Sequence, residues 1–368
     1  MNLSIISPSE NAYSETFIQQ HKNIPEVIIK YYYGGRLPAF LEGYGNLVSM
    51  RFVDRVKRQI EMKLRYPELN ADEICLLNSF KREQIQCVLA EYGKTGAEVL
   101  NVCRTLNIPL IVHFHGYDAS HYQFLKEFKE KYKKMFSYAS AIVVVSKTME
   151  KKIIELGCPS SKIIYNPYGP DNSFFEIESV FKEKLFLTLG RFVDKKAPYY
   201  TILAFKKVLN KYPDAQLIMG GDGPLLDTCK NMVRYFEIGN NVIFPGVLSR
   251  IQFQEYLKNA LAYVQHSLTP SSGDMEGTPV SILEASAAGV PVISTFHAGI
   301  PDVIIDGKTG LLCNEHDIKS MSDNMIKVIE NLDTAKKLGL AGKKNIEENF
   351  SIYKHLDILK KAILNVKP

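Results

Sequence analysis

The chain has no Cys-x-x-Cys pair; its six cysteines, at positions 75, 87, 103, 158, 229 and 313, stand apart from one another and from any histidine cluster. That scatter excludes a zinc ribbon and a disulfide framework and leaves reduced thiols in ordinary packing. No uncharged stretch reaches membrane-spanning length, and the apolar start before Ser7 and Pro8 is too short for the core of a signal peptide, so a cytoplasmic protein is expected. Low-complexity tracts and short-period repeats are also missing. The 368 residues exceed what one hydrophobic core usually organises, so two domains are expected.

With 46% hydrophobic and 23% charged residues, the composition is that of a folded globular chain. The net charge of +5 is mild and no aromatic-basic module appears, so nucleic acid is not an expected partner. The basic residues nevertheless cluster twice. Residues 51–65, RFVDRVKRQIEMKLR, hold six Lys/Arg against Asp54 and Glu61, and 126–136, KEFKEKYKKMF, hold five Lys against two Glu. Both read as helices whose partner is either solvent, the commoner case, or an anionic surface such as lipid headgroups.

Short apolar runs recur between amphipathic stretches: LSIIS, EVIIKYY, EICLLN, PLIVHFHG, AIVVVS and KIIYNP. Their β-branched content predicts strands of a parallel sheet, alternating with helices such as 83–92 and 95–106. After NPYGPDNSFFEIESVFKEK the pattern restarts with LFLTLGR, AQLIMGGDG, NVIFPG, LAYVQHS, PVISTF and TGLLC. Two α/β units follow: a first domain over 1–170, a linker over 171–184, a second domain over 185–350 and a closing amphipathic helix over 351–368. The aromatic run Tyr31 to Tyr33 can be read as a sugar-stacking platform or, more commonly, as strand aromatics that are partly buried.

Open α/β sheets bind ligands beyond the carboxyl ends of their strands, so residues just after each run carry functional weight. GGDGP lacks the third glycine of Gly-x-Gly-x-x-Gly, with Leu226 where it would fall, which weakens a dinucleotide reading. In GDMEGTPVSILEASAAG, Thr278 and Pro279 read as the N-cap and first position of a helix, and Gly277 permits close backbone approach. Such a helix start seats a phosphate. Glu276 and Glu284, on either side of it, would repel a phosphate and are therefore expected to serve hydroxyl groups. A ligand with both phosphate and vicinal diols is a nucleotide sugar. Arg191, at the end of the LFLTLGR strand, and Lys196 supply the counter-charge of a diphosphate.

E-x7-E from Glu276 to Glu284, GRFVDKKAP, GGDGPL, HAGIPDVIIDGKTGLL, HFHGYD and NPYGPD together resemble the retaining glycosyltransferases of family 4, over most of residues 85–350. SETFI at 14–18 resembles members that build bacterial exopolysaccharides. The resemblance implies the GT-B fold, with two Rossmann-like domains closing over the donor and the last helix packing on the first domain. It implies transfer from a UDP- or GDP-sugar to a glycan or lipid-linked acceptor in surface polysaccharide synthesis, with retention, with no protein nucleophile and no cofactor. The missing Asp-x-Asp motif fits a reaction without metal.

By the same resemblance Arg191 and Lys196 hold the diphosphate, Glu284 the ribose, and Glu276 with Gly277, Thr278 and Pro279 the donor sugar and its phosphate. Gly246 and Val247 lie near the base, His115 contacts the transferred sugar, and Ser14 and Glu15 fall in the first loop; His113 is expected as a core histidine. Three departures from the pattern stand out: no Gly-Gly pair in the first loop, Ala197 where glycine is usual, and Tyr168 before Gly169 where asparagine is usual. The rival readings are a non-catalytic carbohydrate-binding relative, a nucleotide-sugar epimerase and a phosphorylase, the last without a recognisable cofactor lysine.

Overall fold

In the computed structural model, which describes residues 1–12, 15–48, 52–181 and 184–366, the apolar runs assemble into two sheets. The first contains β1 (Asn2–Ser7), β2 (Ile28–Tyr33), β3 (Phe40–Leu41), β4 (Gly45–Asn46), β5 (Cys87–Glu91), β6 (Leu110–His113), β7 (Ala141–Val144) and β8 (Ile163–Tyr165). Its order is β4-β3-β2-β1-β5-β6-β7-β8, parallel except for the small antiparallel additions β3 and β4. The second contains β9 (Leu185–Leu189), β10 (Gln216–Gly220), β11 (Val242–Gly246), β12 (Ala262–Val264), β13 (Val292–Thr295) and β14 (Gly310–Cys313). Its order, β11-β10-β9-β12-β13-β14, is all parallel and is that of a doubly wound Rossmann sheet. The strand order reverses between β9 and β12 here, and between β1 and β5 in the first sheet, and those switch points are where ligands settle in such sheets.

Central strands are buried on both faces, which is why their sequences are apolar runs without alternation. Leu3, Ile5, Val88, Leu89, Ile111 and Val143 are fully covered in the first unit. In the second, Phe186, Leu217, Met219, Val264 and Ile293 meet Ile202, Phe205, Met321 and Met325 from the helices Pro198–Leu209 and Ile318–Glu330.

Two elements differ from the sequence expectation. EICLLN lies in the helix Ala71–Arg82, whose start is fixed by a capping box: Asn70 Oδ1 accepts from the N–H groups of Asp72 and Glu73 at 3.0 Å, and Glu73 Oε2 accepts from Asn70 N–H at 2.8 Å. The expected helix at 83–92 instead holds β5, all five residues buried between β1 and β6, a setting in which a short apolar run carries no period. Of the two readings of Tyr31 to Tyr33, the strand-aromatic one agrees with the structure: Tyr31 and Tyr32 are core residues of β2.

By contacts the chain divides into Met1–Asn166 with Leu356–Pro368, and Pro167–His355. The division falls at 166/167 rather than within 171–184, because that segment is built into the second unit. Arg250 Nη1 lies 2.7 Å from Asp171 Oδ2, the Phe174 and Phe253 rings meet at 5.9 Å, and Ser179 Oγ donates to the Ala288 carbonyl at 2.9 Å. The last helix, Ile352–Asn365, contributes residues to both units; those from Leu356 onward belong to the first, where Lys360 Nζ reaches Glu26 at 3.1 Å.

The loop after β9 is shaped by close backbone approach. A Cβ on Gly221, at φ +129°, would fall 2.0 Å from the Gly190 carbonyl oxygen, so GGDGP lies directly on the Gly190–Phe192 backbone. Ala197, buried at φ 35° and ψ 54°, adopts a left-handed conformation that disfavours any Cβ by about 1–2 kcal/mol. Ala197→Gly is therefore expected to keep or raise the melting temperature, whereas Gly221→Ala lowers it by about 5 °C or more. Thermal melts showing equal losses for both would contradict this account of the loop.

Candidate functional site

In the second unit the predicted residues gather at the carboxyl ends of β9 and β12. The chain leaves β9 through Gly190 and Arg191, turns through the short helix Asp194–Lys196, and brings Lys196 back over Gly190, where a Cβ would meet the Lys196 stem at 2.7 Å. From the other side of the switch point, the loop after β12 delivers Glu276. Lys196 Nζ stands 3.2 Å from Glu276 Oε1. The approach is electrostatic and lacks the angle of a directed hydrogen bond, so this buried oxygen retains capacity to accept one. Burial alone would raise the Glu276 carboxyl, but the ammonium groups of Lys196 and Lys195 hold it down at about 2. Lys196 is lowered by the same burial, with Glu276 opposing and Lys195 and exposed Arg191 adding repulsion.

Several residues hold that loop in place. Glu276 N–H donates to His297 Nε2 at 3.2 Å, so His297 carries its proton on Nδ1 and donates to Glu315 Oε1 at 2.6 Å. Glu315 also accepts from Thr269 N–H at 2.9 Å, and Lys195 Nζ pairs with Asp274 Oδ1 at 2.9 Å. Tyr263, at the centre of β12, donates or accepts at three points: the Leu189 carbonyl at 2.9 Å, Gln265 Oε1 at 3.1 Å and Ser281 Oγ at 2.8 Å. It thereby joins the ends of both switch-point strands to the helix that follows Glu276.

That helix is Val280–Ala287, one to two residues later than expected. Pro279 has ψ 115°, which is extended, so Pro279 rather than Thr278 is the capping position, and a proline side chain makes no cap hydrogen bond. Its leading N–H groups follow closely on Glu276, the partner of Lys196, and on buried Gly277. Glu284 lies one turn in, half-buried; burial pushes its carboxyl up to about 8, with Arg250 pulling down and Asp171 pushing up. It is therefore protonated at neutral pH, where the sequence reading had an ionised carboxylate. Gly246 ends β11 and its carbonyl accepts from the Gly221 N–H at 2.7 Å; half-exposed Val247 follows the strand.

The remaining predicted residues belong to the first unit, around the ends of β1, β5 and β6. His115 Nε2 donates to Glu91 Oε2 at 2.9 Å, and His21 Nδ1 donates to Glu91 Oε1 at 2.6 Å. Glu91 is wholly buried; burial raises its carboxyl and the His115 interaction counters it, while burial lowers both imidazoles, His21 to about 3. The His115 ring stacks on His113 at 4.5 Å, and Asp118 accepts from the N–H groups of His115 and Gly116 at 3.0 Å and of Gly93 at 2.7 Å. HFHGYD is thus a loop wound around one carboxylate. Glu15 accepts from Tyr92 OH at 2.7 Å and from Ser9 Oγ at 2.8 Å; Ser14 lies outside the described residues. Tyr92, at φ 74°, is held in a conformation that non-glycine residues rarely adopt. Glu91, His113 and His115 bring ligand atoms within 4.8 Å, a spacing that can hold a cation, yet both Glu91 oxygens already take imidazole donors.

Sequence reasoning missed Glu91, Asp118, Tyr263, Lys195, Asp274, His297 and Glu315. Glu91 had a signal, the end of the apolar run CVLAE; Asp118, Lys195, Asp274 and His297 stood inside the quoted motifs without a role, and Tyr263 and Glu315 are joined to the site only by the tertiary fold.

Residues 171–345 match the family model for glycosyl transferases group 1, and residues 34–172 that for glycosyltransferase family 4. The chain is 27% identical over 239 residues to glycosyltransferase WcaL of Salmonella typhimurium, assigned to colanic acid biosynthesis, a match covering 64% of this chain and 59% of that one. It is 27% identical to the amylovoran biosynthesis glycosyltransferase AmsK of Erwinia amylovora, covering 72% and 66%. The match thus spans about three fifths to two thirds of these curated relatives. Among solved structures, HepE of Anabaena, in complex with UDP and glucose, superposes with a TM-score of 0.79 over 99% of both chains at 13% identity, a likeness of fold.

A carboxyl raised from 4.5 to about 8 by folding means that the folded chain holds more protons than the unfolded one across that window, so stability falls as pH rises through it. Glu284→Gln removes this term. Its gain in melting temperature is expected to be near zero at about pH 4.5 and to grow to a few degrees by about pH 8. A gain of the same size at both pH values would contradict the assignment.

Proposed function

Because the chain belongs to the group 1 and family 4 glycosyltransferases, we propose that it transfers a sugar from a nucleotide diphosphate sugar to a glycan or lipid-linked acceptor in cell-surface polysaccharide synthesis. The observation that carries this reading is the Lys196–Glu276 pair, 3.2 Å apart, with Glu276 four residues ahead of a helix whose N-cap is Pro279. A diphosphate at that helix start meets aligned N–H groups together with Arg191 and Lys196. As it draws Lys196, the Glu276 carboxylate turns to the donor sugar's hydroxyls. Glu284 takes the ribose hydroxyls. Two such donors favour its ionised form, so binding releases a proton and strengthens as pH rises toward 8.

The same cations stabilise the charge that develops on the departing diphosphate, and a diphosphate oxygen accepts the acceptor's proton on the face it leaves, which retains the anomeric configuration. No protein nucleophile and no metal is assigned a step. His115, oriented by Glu91 and the Asp118 turn, is assigned to the hydroxyls of the transferred sugar. Gly246 and Val247 are assigned to the base, and Glu15 to the first loop's contact with donor or acceptor. The UDP and glucose held by HepE, and the exopolysaccharide assignments of WcaL and AmsK, support a nucleotide donor and a surface-glycan product. UDP and GDP both remain in the donor class, and the proposed place of action is the cytoplasm, at the inner face of the membrane for a lipid-linked acceptor.

A thermal-shift screen of UDP-, GDP- and ADP-sugars tests the donor site: one nucleotide diphosphate raises the melting temperature, and Arg191→Ala and Glu284→Ala each weaken that rise. Unchanged shifts in both variants would sink the assignment. With the donor known, Glu276→Ala and His115→Ala are expected to lower transfer by about a hundredfold or more while the proteins stay folded. Full transfer by either variant would remove that residue from the reaction.

A further inference from the structure

The two lysine- and arginine-rich helices differ in which side they turn outward. In Tyr122–Tyr138 the apolar residues Phe124, Phe128, Tyr132, Met135 and Phe136 are buried and Lys126, Lys129, Lys133 and Lys134 are exposed, so this helix is amphipathic in the ordinary sense, with a solvated basic face. The helix Phe52–Leu64 is the reverse. Four of its apolar residues are exposed: Val53 at 75%, Val56 at 41%, Ile60 at 52% and Leu64 at 79%. Toward the helix Ala71–Arg82 it makes polar contacts beside half-buried Met62: Arg58 Nη1 lies 3.0 Å from Cys75 Sγ, and Glu61 Oε2 accepts from Asn78 Nδ2 at 2.8 Å.

At roughly 100° per residue, the four exposed apolar residues fall within about 80° of arc. Lys57 sits on one edge of that stripe and Lys63 on the other, both exposed, and Arg65 follows the helix end. Side chains in the stripe and along its edge line one shallow surface depression. An apolar stripe left to water with cations along both edges has the chemistry of a bilayer interface: the stripe enters the acyl boundary while the long lysine stems keep their charges among the headgroups. We infer that the helix Phe52–Leu64 docks the first unit on a membrane containing anionic lipid, lying in the plane of the interface. Charge decides the partner: a neutral apolar partner leaves Lys57 and Lys63 without counter-charge, whereas phosphatidylglycerol-like headgroups supply it. Among the described residues no helix is long and apolar enough to cross a membrane. The inference concerns the first unit alone and stands apart from the donor chemistry of the second.

Vesicle co-sedimentation of the full chain tests it. The wild type should bind phosphatidylcholine vesicles carrying about 30% phosphatidylglycerol, not pure phosphatidylcholine, and should be released by salt. Ile60→Glu with Leu64→Glu should cut binding at least about tenfold. Lys57→Ala and Lys63→Ala should each weaken it about fivefold, and Lys129→Ala and Lys133→Ala on the solvated helix less than about twofold. The altered side chains are exposed, and a nucleotide-induced rise in melting temperature, a property of the second unit, reports separately on folding and on the donor site. Equal binding by the double glutamate variant and the wild type would overturn the inference. So would a wild-type dimer in light scattering that the double variant converts to monomer, since the stripe would then cover a second copy.

Discussion

The ion pair between Lys196 and Glu276 is the constraint around which the second unit is arranged. A charge buried by itself costs several kcal/mol, and two buried together are tolerated only when each is held close to the other and otherwise hydrogen-bonded. The chain holds the two close through the residues around them, while one oxygen of Glu276 keeps room for a hydrogen bond. Gly190 leaves room for the lysine stem, left-handed Ala197 turns the chain after it, and the His297–Glu315 link fixes the backbone of Glu276. The pair is also open to exchange. Its contact is electrostatic, so an anion that draws Lys196 away frees a carboxylate whose natural partners are hydroxyl groups. A diphosphate and a polyhydroxylated sugar then bind better together than either does alone, which is the property a sugar-nucleotide site needs.

The first unit reaches a comparable result with imidazoles. Glu91 gathers His21 and His115, Asp118 winds the backbone around His115, and strained Tyr92 directs its hydroxyl to Glu15. Glu91 ends β5, beside the place where the strand order reverses; His115 follows the neighbouring β6, and the helix Thr16–His21 brings in His21. The geometry of the sheet thus decides which polar residues are brought together, and burial decides their protonation.

The alternation of the two α/β units was legible because buried parallel strands must be written as apolar runs, and the E-x7-E segment because its residue types are incompatible with a simple phosphate loop. The places where the reading failed are physically related. EICLLN and CVLAE are both short apolar runs, and period alone cannot separate a buried strand from a buried helical stretch; the capping pair Asn70 and Glu73 was the signal that could have decided the first. The helix start at Val280 was displaced by the extended ψ of Pro279, which local preference does not specify. The protonated state of Glu284 depends on burial and on Asp171 and Arg250, distant in sequence. The outward turn of Val53, Val56, Ile60 and Leu64 could not be read either, since an amphipathic stripe does not say which side faces the core.

The central claim is that Arg191 and Lys196 engage the second phosphate of the nucleotide. Titration calorimetry of the preferred nucleoside diphosphate and its monophosphate measures that directly, as a ratio of two affinities in the same protein. The wild type should prefer the diphosphate by at least about thirtyfold, the scale of charge-assisted hydrogen bonds to one phosphate. In a protein carrying Arg191→Ala with Lys196→Met the preference should fall to near one while the monophosphate still binds. A preference that survives unchanged in that variant would contradict the account.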